Sequence, residues 1–299
     1  MKNLALAHRK KKREKISALS IVIVAFLVLY CFILLFLLGW GLLSSFKDYR
    51  TDFRINPVGW PSKFTFDNFV TVYSEFSISI HNGNDTVSFP MLFLYGFLYS
   101  FGCAFAATLI PCITSYLCAK FNYKLSKIIY LIVVIAMILP IVGSLPAEIA
   151  MAKRLGLYNQ IWGTWVLKAN FLGMYFIVFY NYFKSLPNAY IEAAKIDGAG
   201  NMRILLQLIL PMARPIFLTV MLINFITFWN DYQVPLIYLP DYPTIAVGMY
   251  NMAFLTTNEI SNVPCRCAAA ALMLLPVLII FLAFHKKLLG NLTMGGIKG

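Results

Sequence analysis

Apolar runs that alternate with charged and polar segments dominate this sequence. A run of about 20 apolar residues is long enough to cross the hydrocarbon core of a membrane as a helix. The third run is shorter, because Pro140 and Pro146 interrupt its outer end. We therefore predict an all-α, polytopic membrane protein with six transmembrane helices. The predicted spans cover residues 16–43, 91–119, 128–142, 161–182, 215–230 and 268–284.

Polar segments between these runs divide the chain into regions. The first run is longer than the core of a signal peptide, which is roughly 7–15 residues, and no small-residue cleavage site follows it. We therefore expect this run to remain as an uncleaved span. The predicted regions are a basic N-terminus at 1–15, the first span at 16–43, an external loop at 44–90, a five-helix core at 91–285 that includes a polar loop at 184–214, and a tail at 286–299.

Charged residues near the ends of the apolar runs set the predicted orientation. Lys and Arg accumulate on the cytoplasmic side of membrane proteins. They cluster in the N-terminal region, after the second run, in the loop at 184–214 and in the tail. This distribution places both termini and that loop in the cytoplasm. Lys153 and Arg154, in a predicted outer connection, depart from the rule.

Composition agrees with a membrane location and excludes other classes of protein. The sequence is 60% hydrophobic and 12% charged, which is typical of membrane proteins. Its net charge of +13 forms no basic stripe with interleaved aromatics, so we do not expect nucleic-acid binding. The six cysteines and three histidines show neither a disulfide framework nor metal-ligand spacing. Since no nucleophile with its base and no phosphate loop is visible, we predict no enzyme activity, metal or cofactor in this chain.

The polar loop at 184–214 contains a predicted short helix between Pro187 and Gly198. Proline suits the first turn of a helix, and Glu192 lies in an early turn where a negative charge complements the helix dipole. Glycine readily adopts the left-handed conformation that ends a helix. The two alanines after Glu192 leave room for another protein surface to approach. From the residues alone, both a docking element and an ordinary loop remain open. A second amphipathic piece, 202–210, leads to the next span.

Three polar residues in the fifth span are candidates for lining a transport path. Asn224, Thr227 and Asp231 are separated by three and four residues, which places them on one face of a helix. Such a stripe can hydrogen-bond a polar solute in a cavity. Alternatively, the same groups bond to neighbouring helices, as polar residues in membrane bundles often do.

A cation in the fourth span is a second candidate for the path. Lys168 lies about seven residues into the span, or roughly 10 Å deep. Together with Asn170 it can face the path, where a positive charge would suit an acidic or phosphorylated solute. The alternative is that the long side chain extends back to the membrane surface. Glu148, near the outer end of the third span, is a candidate partner for Lys168.

The loop at 184–214 also carries a recognisable motif. Glu192-Ala193-Ala194, Gly198, an aliphatic Leu208 and Leu210-Pro211 match the signature loop of ABC importer permeases, which more often have Ile where Leu208 stands. From about Thr65 to the end, the chain resembles the maltose-type, carbohydrate-importing branch of that family. Further matching stretches are Leu155-Gly156-Leu157-Tyr158-Asn159, Ser185-Leu186-Pro187, Phe228-Trp229-Asn230-Asp231 and the tail from Leu289 to Gly299.

The resemblance implies one half of a heteromeric importer for an oligosaccharide or related carbohydrate in the bacterial inner membrane. The implied partners are a second homologous permease subunit, two cytoplasmic ABC ATPases that bind ATP and Mg²⁺, an external solute-binding lipoprotein, the carbohydrate substrate and membrane lipid. No cofactor is implied for this chain itself. The residues implied in ATPase coupling are Glu192, Ala193, Ala194, Asp197, Gly198, Leu210 and Pro211.

Two further contacts follow from the resemblance alone. The loop before the last span, from Glu259 to Pro264, would probe the binding protein, with Glu259, Ser261 and Asn262 as contact candidates. Arg266 and Cys267 stand where the family tends to have an acidic residue, a departure that affects this assignment. The tail, with Gly295 and Gly296, would reach between the ATPases, since glycine permits close backbone approach.

Functions other than a carbohydrate ABC permease were also compared with the sequence. An ion-coupled secondary transporter needs membrane-embedded acids and usually broken helices in two corresponding halves, and only Glu148 and Asp231 come near this requirement. An ABC permease for a non-sugar solute and a membrane scaffold or sensor also stay open as functional classes. Sugar phosphates, polyols and uronic-acid oligomers all remain open as substrates.

Overall fold

The computed structural model describes residues 18–121, 123–139, 143–255 and 259–292. These residues are mostly helical, with one small hairpin. The elements are α1 (Ala18–Ser45), α2 (Asp67–Glu75), β1 (Ser77–Ile80), β2 (Asp85–Ser88), α3 (Phe89–Lys120), α4 (Lys124–Ile138), α5 (Leu145–Arg154), α6 (Ile161–Lys168), α7 (Met174–Ser185), α8 (Ala189–Ile196), α9 (Asn201–Ile204), α10 (Leu210–Trp229), α11 (Gln233–Tyr238), α12 (Ile245–Phe254) and α13 (Val263–Leu292), with π-turns at Tyr49–Phe53 and Leu205–Ile209 and 3-10 turns at His81–Gly83 and Glu259–Ser261.

Four helices in the described part of the chain are long and apolar enough to cross a membrane. They correspond to the first, second, fifth and sixth predicted spans, and they cover Leu19–Ser45, Phe89–Lys120, Asn201–Trp229 and Val263–Ala283. The third predicted span overlaps α4, which has 15 residues. Pro140, predicted to interrupt its outer end, lies outside the described residues. The mostly helical membrane fold is therefore confirmed, with four long helices and several shorter ones.

The prediction of one continuous helix at 161–182 is wrong. Helix α6 ends at Lys168, and α7 begins only at Met174. Between them, Gly173 has a φ of +146°, a backbone conformation that favours glycine and is incompatible with a helix. Hydrophobicity alone did not reveal this break, because the apolar composition continues through it.

The amphipathic piece at 202–210 is not separate from the fifth span. A helix runs from Asn201 to Trp229, and its α-helical hydrogen bonding is interrupted by the π-turn at Leu205–Ile209. In this turn the N–H of Leu210 donates to the carbonyl of Leu205, a five-residue step. The wider turn ends two residues before Pro211, which has no N–H to donate, and the helix continues through this proline.

The segment at 44–90, which was predicted to be an external loop, contains regular structure. The N–H groups of Arg50 and Thr51 and the hydroxyl of Thr51 all donate to Asp48, and these bonds, chiefly those of Thr51, lower the pKa of its carboxyl. Strands β1 and β2 pair antiparallel, with Ser77 opposite Ser88. The hairpin and α2 pack against α3, α12 and α13 in one apolar cluster. The segment is thereby anchored to the helical core.

Helix α3 lies at the centre of the bundle, where it packs against α6, α7 and α10. Small residues permit these close contacts. A Cβ added to Gly102 would overlap the indole of Trp165 on α6, and one added to Gly163 would overlap the carbonyl of Leu157. The indole is fixed in place, because its N–H donates to the carbonyl of Leu98 at 3.1 Å. The contact between α3 and α6 therefore has no room for an additional methyl group.

Helix α1 contrasts with this packed centre. Its spanning segment, Leu19–Ser45, buries none of its most apolar window, even though α1 contacts α13. A helix that is apolar all round and unburied needs lipid or another protein around it. Its exposed apolar surface is of the kind that a membrane-spanning helix presents to lipid or to a partner subunit.

We expect Gly102→Ala to destabilise the protein. Alanine favours a helix, but overlap with a fixed indole forces α3 and α6 apart, and such overpacking typically costs about 1–3 kcal/mol. The midpoint of thermal unfolding of the detergent-solubilised protein should fall. Gly41→Ala is the matched control, because no heavy atom lies within 4 Å of its added Cβ. Equal midpoints for the two variants would contradict the packing described here.

Candidate functional site

The predicted short helix in the loop at 184–214 is confirmed as α8, Ala189–Ile196. It begins two residues after Pro187, and Asp197 follows its last residue. Gly198 has a φ of +79°, the left-handed conformation predicted for it. Its N–H donates to Lys195, and the N–H of Ala199 donates to Ala194, so two carbonyls at the end of the helix are satisfied.

Helix α8 lies on the surface of the bundle. None of its residues is buried. Glu192 and Ala193 are exposed, whereas Ile191 and Ala194 are half-buried and pack against an apolar cluster that includes Phe183. One side of the helix therefore holds it to the bundle, and the other side presents an acidic and small-residue surface outward. Asp197 and Gly198 are also exposed and extend this surface.

Contacts at both ends fix α8 to the spans. Before it, the ammonium of Lys120 at the end of α3 donates to the carbonyl of Leu186 at 2.6 Å and to Asn188 Oδ1 at 2.9 Å. After it, Leu210 packs into the same apolar cluster, while Pro211 is exposed. Movement of α8 is thereby linked to α3 on one side and to α10 on the other.

The break between α6 and α7 creates a cavity inside the predicted fourth span. It has a volume of about 100 Å³, and Lys168 and Asn170 both line it, together with Gly173 of the break and Ala107 and Pro111 of α3. The structure thus brings together the two residues predicted from sequence. Lys168 is half-buried and Asn170 is exposed, so a cation and an amide line a cavity whose other lining residues are mostly apolar.

The predicted partner of Lys168 lies elsewhere. Glu148, in the first turn of α5, accepts a hydrogen bond from the hydroxyl of Ser144 at 2.5 Å. Among the described residues it forms no ion pair with Lys168. The predicted pairing is therefore wrong.

The three polar residues of the fifth span do not form one exposed stripe. Asn224 is buried, and its amide donates to the hydroxyl of Thr108 on α3 at 3.0 Å. Thr227 is exposed and donates to the carbonyl of Ile223 within its own helix. Asp231 lies beyond the end of α10. The second interpretation of the sequence, bonding to a neighbouring helix, therefore describes Asn224.

Asp231 occupies a more specific position. One carboxylate oxygen accepts from the N–H groups of Gln233 and Val234 at the start of α11, and the other accepts from the hydroxyl of the buried Tyr99 at 2.8 Å. Tyr99 was not among the residues predicted from sequence. No local signal identifies it, because a tyrosine in an apolar run is ordinary.

Tyr99 belongs to a row of residues on α3 that connects the two candidate regions. Tyr99, Cys103, Ala107 and Pro111 follow each other at intervals of four residues, so each lies about 6 Å further along α3 and about 40° further around it. Tyr99 bonds Asp231, the thiol of Cys103 donates to Thr164 on α6 at 3.6 Å, and the last two line the cavity beside Lys168. Contacts along this row of α3 therefore connect Asp231 to the cavity at Lys168.

The segment before α13, which was predicted to be an outer loop, is a compact turn where the structure describes it. Ser261 donates to the carbonyl of Met252 at 2.8 Å and accepts from the guanidinium of Arg266 at 2.6 Å. Asn262 accepts from the N–H of Cys265 at 2.9 Å, so it caps the start of α13. Glu259 begins the 3-10 turn, and residues 256–258, Gly295 and Gly296 lie outside the described residues.

A cluster at the hairpin was not predicted. His81 contacts Asp85 at 3.2 Å and Asp241 at 3.1 Å, and Asp241 also accepts from the amide of Asn159 at 2.5 Å. This cluster connects the hairpin to the segment between α11 and α12 and to the turn between α5 and α6. Among the described residues, no group of three or more His, Cys, Asp and Glu side chains is arranged to hold a metal ion.

Comparison with known proteins agrees with this arrangement. Residues 107–290 match the family model described as "Binding-protein-dependent transport system inner membrane component". The permease protein NgcG of the diacetylchitobiose uptake system of Streptomyces coelicolor is 26% identical, with 91% of this chain and 86% of that protein covered. The permease protein GanQ of the galactooligosaccharides transport system of Bacillus subtilis is 25% identical over 98% of this chain and 100% of its own length.

A solved structure shares the fold. It is a bacterial ABC transporter involved in the import of the acidic polysaccharide alginate, and it superposes with a TM-score of 0.69 at 21% identity, covering 90% of this chain and 95% of the matched chain. The family match covers more than half of the sequence and includes α8 and its C-terminal glycine. This chain therefore belongs to the inner membrane components of binding-protein-dependent transport systems, and it is a permease subunit of an ABC importer.

Proposed function

We propose that this chain forms one half of the translocation path of an ATP-driven importer for an oligosaccharide or related carbohydrate. The names of its relatives support the substrate class, since they include permeases for diacetylchitobiose, for galactooligosaccharides and for melibiose, raffinose and stachyose. The observation that carries the coupling role is α8, a helix with no buried residue that is fixed at both ends to spanning helices.

The proposed membrane arrangement has six crossings. The four long helices supply four of them, α4 a fifth, and the broken pair α6 and α7 together the sixth. With Lys and Arg concentrated on the inner side, both termini and α8 lie in the cytoplasm. Residues 44–90 then form the external region that precedes the five-helix core at 91–285.

In the proposed mechanism α8 docks on a cytoplasmic ATPase. The exposed Glu192, Ala193, Asp197 and Gly198 form the contact surface, while Ala194 and Leu210 hold it to the spans. A second homologous permease and two ATPases complete the importer, and ATP and Mg²⁺ bind in the ATPases. To change the ratio of outward-open to inward-open populations from about 1:99 to 99:1, the outward-open state must gain roughly 5.5 kcal/mol of stability relative to the inward-open state. Closure of the ATPases on α8 supplies it.

The substrate path in this proposal follows the row of α3 between Asp231 and the cavity at Lys168. At one end of this row Tyr99 bonds the carboxylate of Asp231, and at the other end the row adjoins Lys168 and Asn170. A single cation in a small polar cavity, without an acidic partner among the described residues, suits an acidic or phosphorylated sugar. The external lipoprotein would deliver this substrate to the turn at Glu259, Ser261 and Asn262, and the tail with Gly295 and Gly296 would reach the ATPases.

We expect Gly198→Asp and Glu192→Lys to uncouple ATP hydrolysis from transport. At a φ of +79° any side chain strains the backbone, so Gly198→Asp shifts the end of α8, and Glu192→Lys reverses charge on its exposed surface. Uptake into proteoliposomes should fall by about tenfold or more, the range expected when a coupling energy of ~1–3 kcal/mol is lost, while assembly is partly retained.

Gly200→Ala is the control for this experiment. Gly200 lies two residues later at a φ of −70°, and nothing stands within 4 Å of an added Cβ. Its uptake and ATPase rates should match those of the unmodified importer. Normal uptake in both Gly198→Asp and Glu192→Lys would refute the docking role of α8.

We expect Lys168→Met to lower uptake of an acidic oligosaccharide much more than uptake of a neutral one such as raffinose. Methionine keeps an unbranched side chain but removes the charge, and a hydrogen bond to a charged group contributes about 1.5–3 kcal/mol, roughly 10–100-fold in rate. Lys168→Arg should restore most of the uptake. If the importer with Lys168→Met takes up both an oligouronate and raffinose at the rate of the unmodified importer, Lys168 has no role in the path.

A further inference from the structure

A second polar cavity lies away from the proposed substrate path. It has a volume of about 390 Å³ and sits where α3 ends, α4 begins and α7 ends. Lys120, Lys127 and Lys184 line it, one from each of these helices, beside Tyr130 and Tyr180. Three cations from three helices converge here, although none of them belongs to the signature motif or to the candidate path.

The positive charge of this cavity is not neutralised by the chain. No carboxylate lines the cavity, and no ion pair of the three lysines occurs within the described ranges. The ammonium of Lys120 uses two of its three N–H groups on Leu186 and Asn188. The ammonium of Lys184 lies 5.7 Å from the ring centroid of Tyr180. The exposed Lys127 and Lys184 therefore keep donors available for an anion.

The surroundings identify the kind of anion. Helix α4 starts at the cavity and presents an apolar surface outward along its length, with Leu125, Ile128, Leu131 and Ile132 all exposed. An anion held by the lysines would thus lie at the end of a surface suited to acyl chains. Basic pockets between spanning helices on the cytoplasmic side are typical sites for anionic lipid headgroups. A free phosphate ion would leave the apolar surface unused.

We propose that this cavity binds the phosphodiester headgroup of an anionic phospholipid, with Lys127 and Lys184 as its charged contacts and the acyl chains along α4. The proposal rests on the orientation given under the proposed function, which places these helix ends at the cytoplasmic leaflet. Tyr130 and Tyr180, whose ring centroids are 4.8 Å apart, form a wall of the cavity at the depth of the headgroups. Tyrosine is enriched at that depth in membrane proteins.

The site adjoins the coupling helix. Asn188 lines the cavity and is the residue immediately before α8, and it accepts from Lys120 at 2.9 Å. A headgroup in the cavity would contact the same connection that joins α3 to α8. Lipid binding would therefore stabilise one position of α8, so that the anionic lipid content of the membrane would influence the coupling of ATP hydrolysis to transport.

The test uses the complete importer reconstituted in nanodiscs of phosphatidylcholine with a small fraction of phosphatidylglycerol. Native mass spectrometry counts the phosphatidylglycerol molecules retained after extraction. In the double variant Lys127→Gln and Lys184→Gln, retention at the site should weaken by about 30-fold, since each lysine near an anionic headgroup contributes about fivefold. Lys120 is left unchanged because it holds Leu186 and Asn188 in place.

Lys124→Gln is the matched control, because it removes a lysine from the same end of α4 that does not line the cavity. Its retention of phosphatidylglycerol should equal that of the unmodified importer. The proposal is overturned if Lys124→Gln loses as much phosphatidylglycerol as the double variant, or if the unmodified importer retains phosphatidylcholine as well as it retains phosphatidylglycerol. It is also overturned if inorganic phosphate displaces the phosphatidylglycerol completely, since the site would then bind a free anion. It is also overturned if the permease alone retains the lipid and the complex does not, because an ATPase then occupies the cavity.

This readout is independent of sugar uptake. Loss of phosphatidylglycerol in the double variant supports the lipid site even if the transported solute proves to be no carbohydrate. Conversely, unchanged lipid retention together with uncoupling in Gly198→Asp would overturn the lipid site alone and leave the proposed function intact.

Discussion

The close approach of α6 to α3 is the contact on which the rest of the bundle depends. At Gly102 the indole of Trp165 fills the space that any side chain would need, and its N–H donates to α3 itself. On the same side of α3, Cys103 bonds Thr164 of α6. Because these contacts hold α6 against α3, they also fix the position of Lys168 at the end of α6. The cavity at the break then lies between α3 and α7.

The break after α6 forms the cavity that is a candidate part of the substrate path. A continuous helix would hydrogen-bond its own backbone throughout and leave no room beside α3. Five residues without helical structure, ending at Gly173, instead open a small polar cavity that contains a cation and an amide. Irregular backbone at membrane depth is tolerated where it lines a cavity or is buried in protein. The row on α3 then gives that cavity a polar neighbour in the pair of Tyr99 and Asp231.

The opposite end of the bundle has a different organisation. There α8 lies on the surface, held by Lys120 before it and by the apolar contacts of Leu210 after it. The helix that follows contains Pro211 and continues from Asn201 to Trp229 through the π-turn at Leu205–Ile209. A force applied to α8 therefore reaches a long spanning helix directly. The basic cavity beside Asn188 lies against the same connection.

Sequence alone determined the membrane class, the apolar runs and the short helix α8. Length and hydropathy identify spans because the bilayer has a fixed thickness, and proline, glutamate and glycine at set positions define α8 through local backbone preferences. The signature motif identified the family for the same reason, since its residues are close together in the chain. Lys168 and Asn170 were also identified from sequence, as polar residues in an apolar run.

Tertiary structure decided which of these residues meet. The partner of Asn224 is Thr108, that of Asp231 is Tyr99, and that of His81 is Asp241, each far away in the sequence. Such pairs depend on how helices pack, which hydrophobic patterning does not specify. The break at Gly173 and the absence of a pair between Glu148 and Lys168 among the described residues have the same cause. Apolar composition shows that a segment lies in the membrane, but only packing against α3 decides where its backbone leaves the helix and what its charges face.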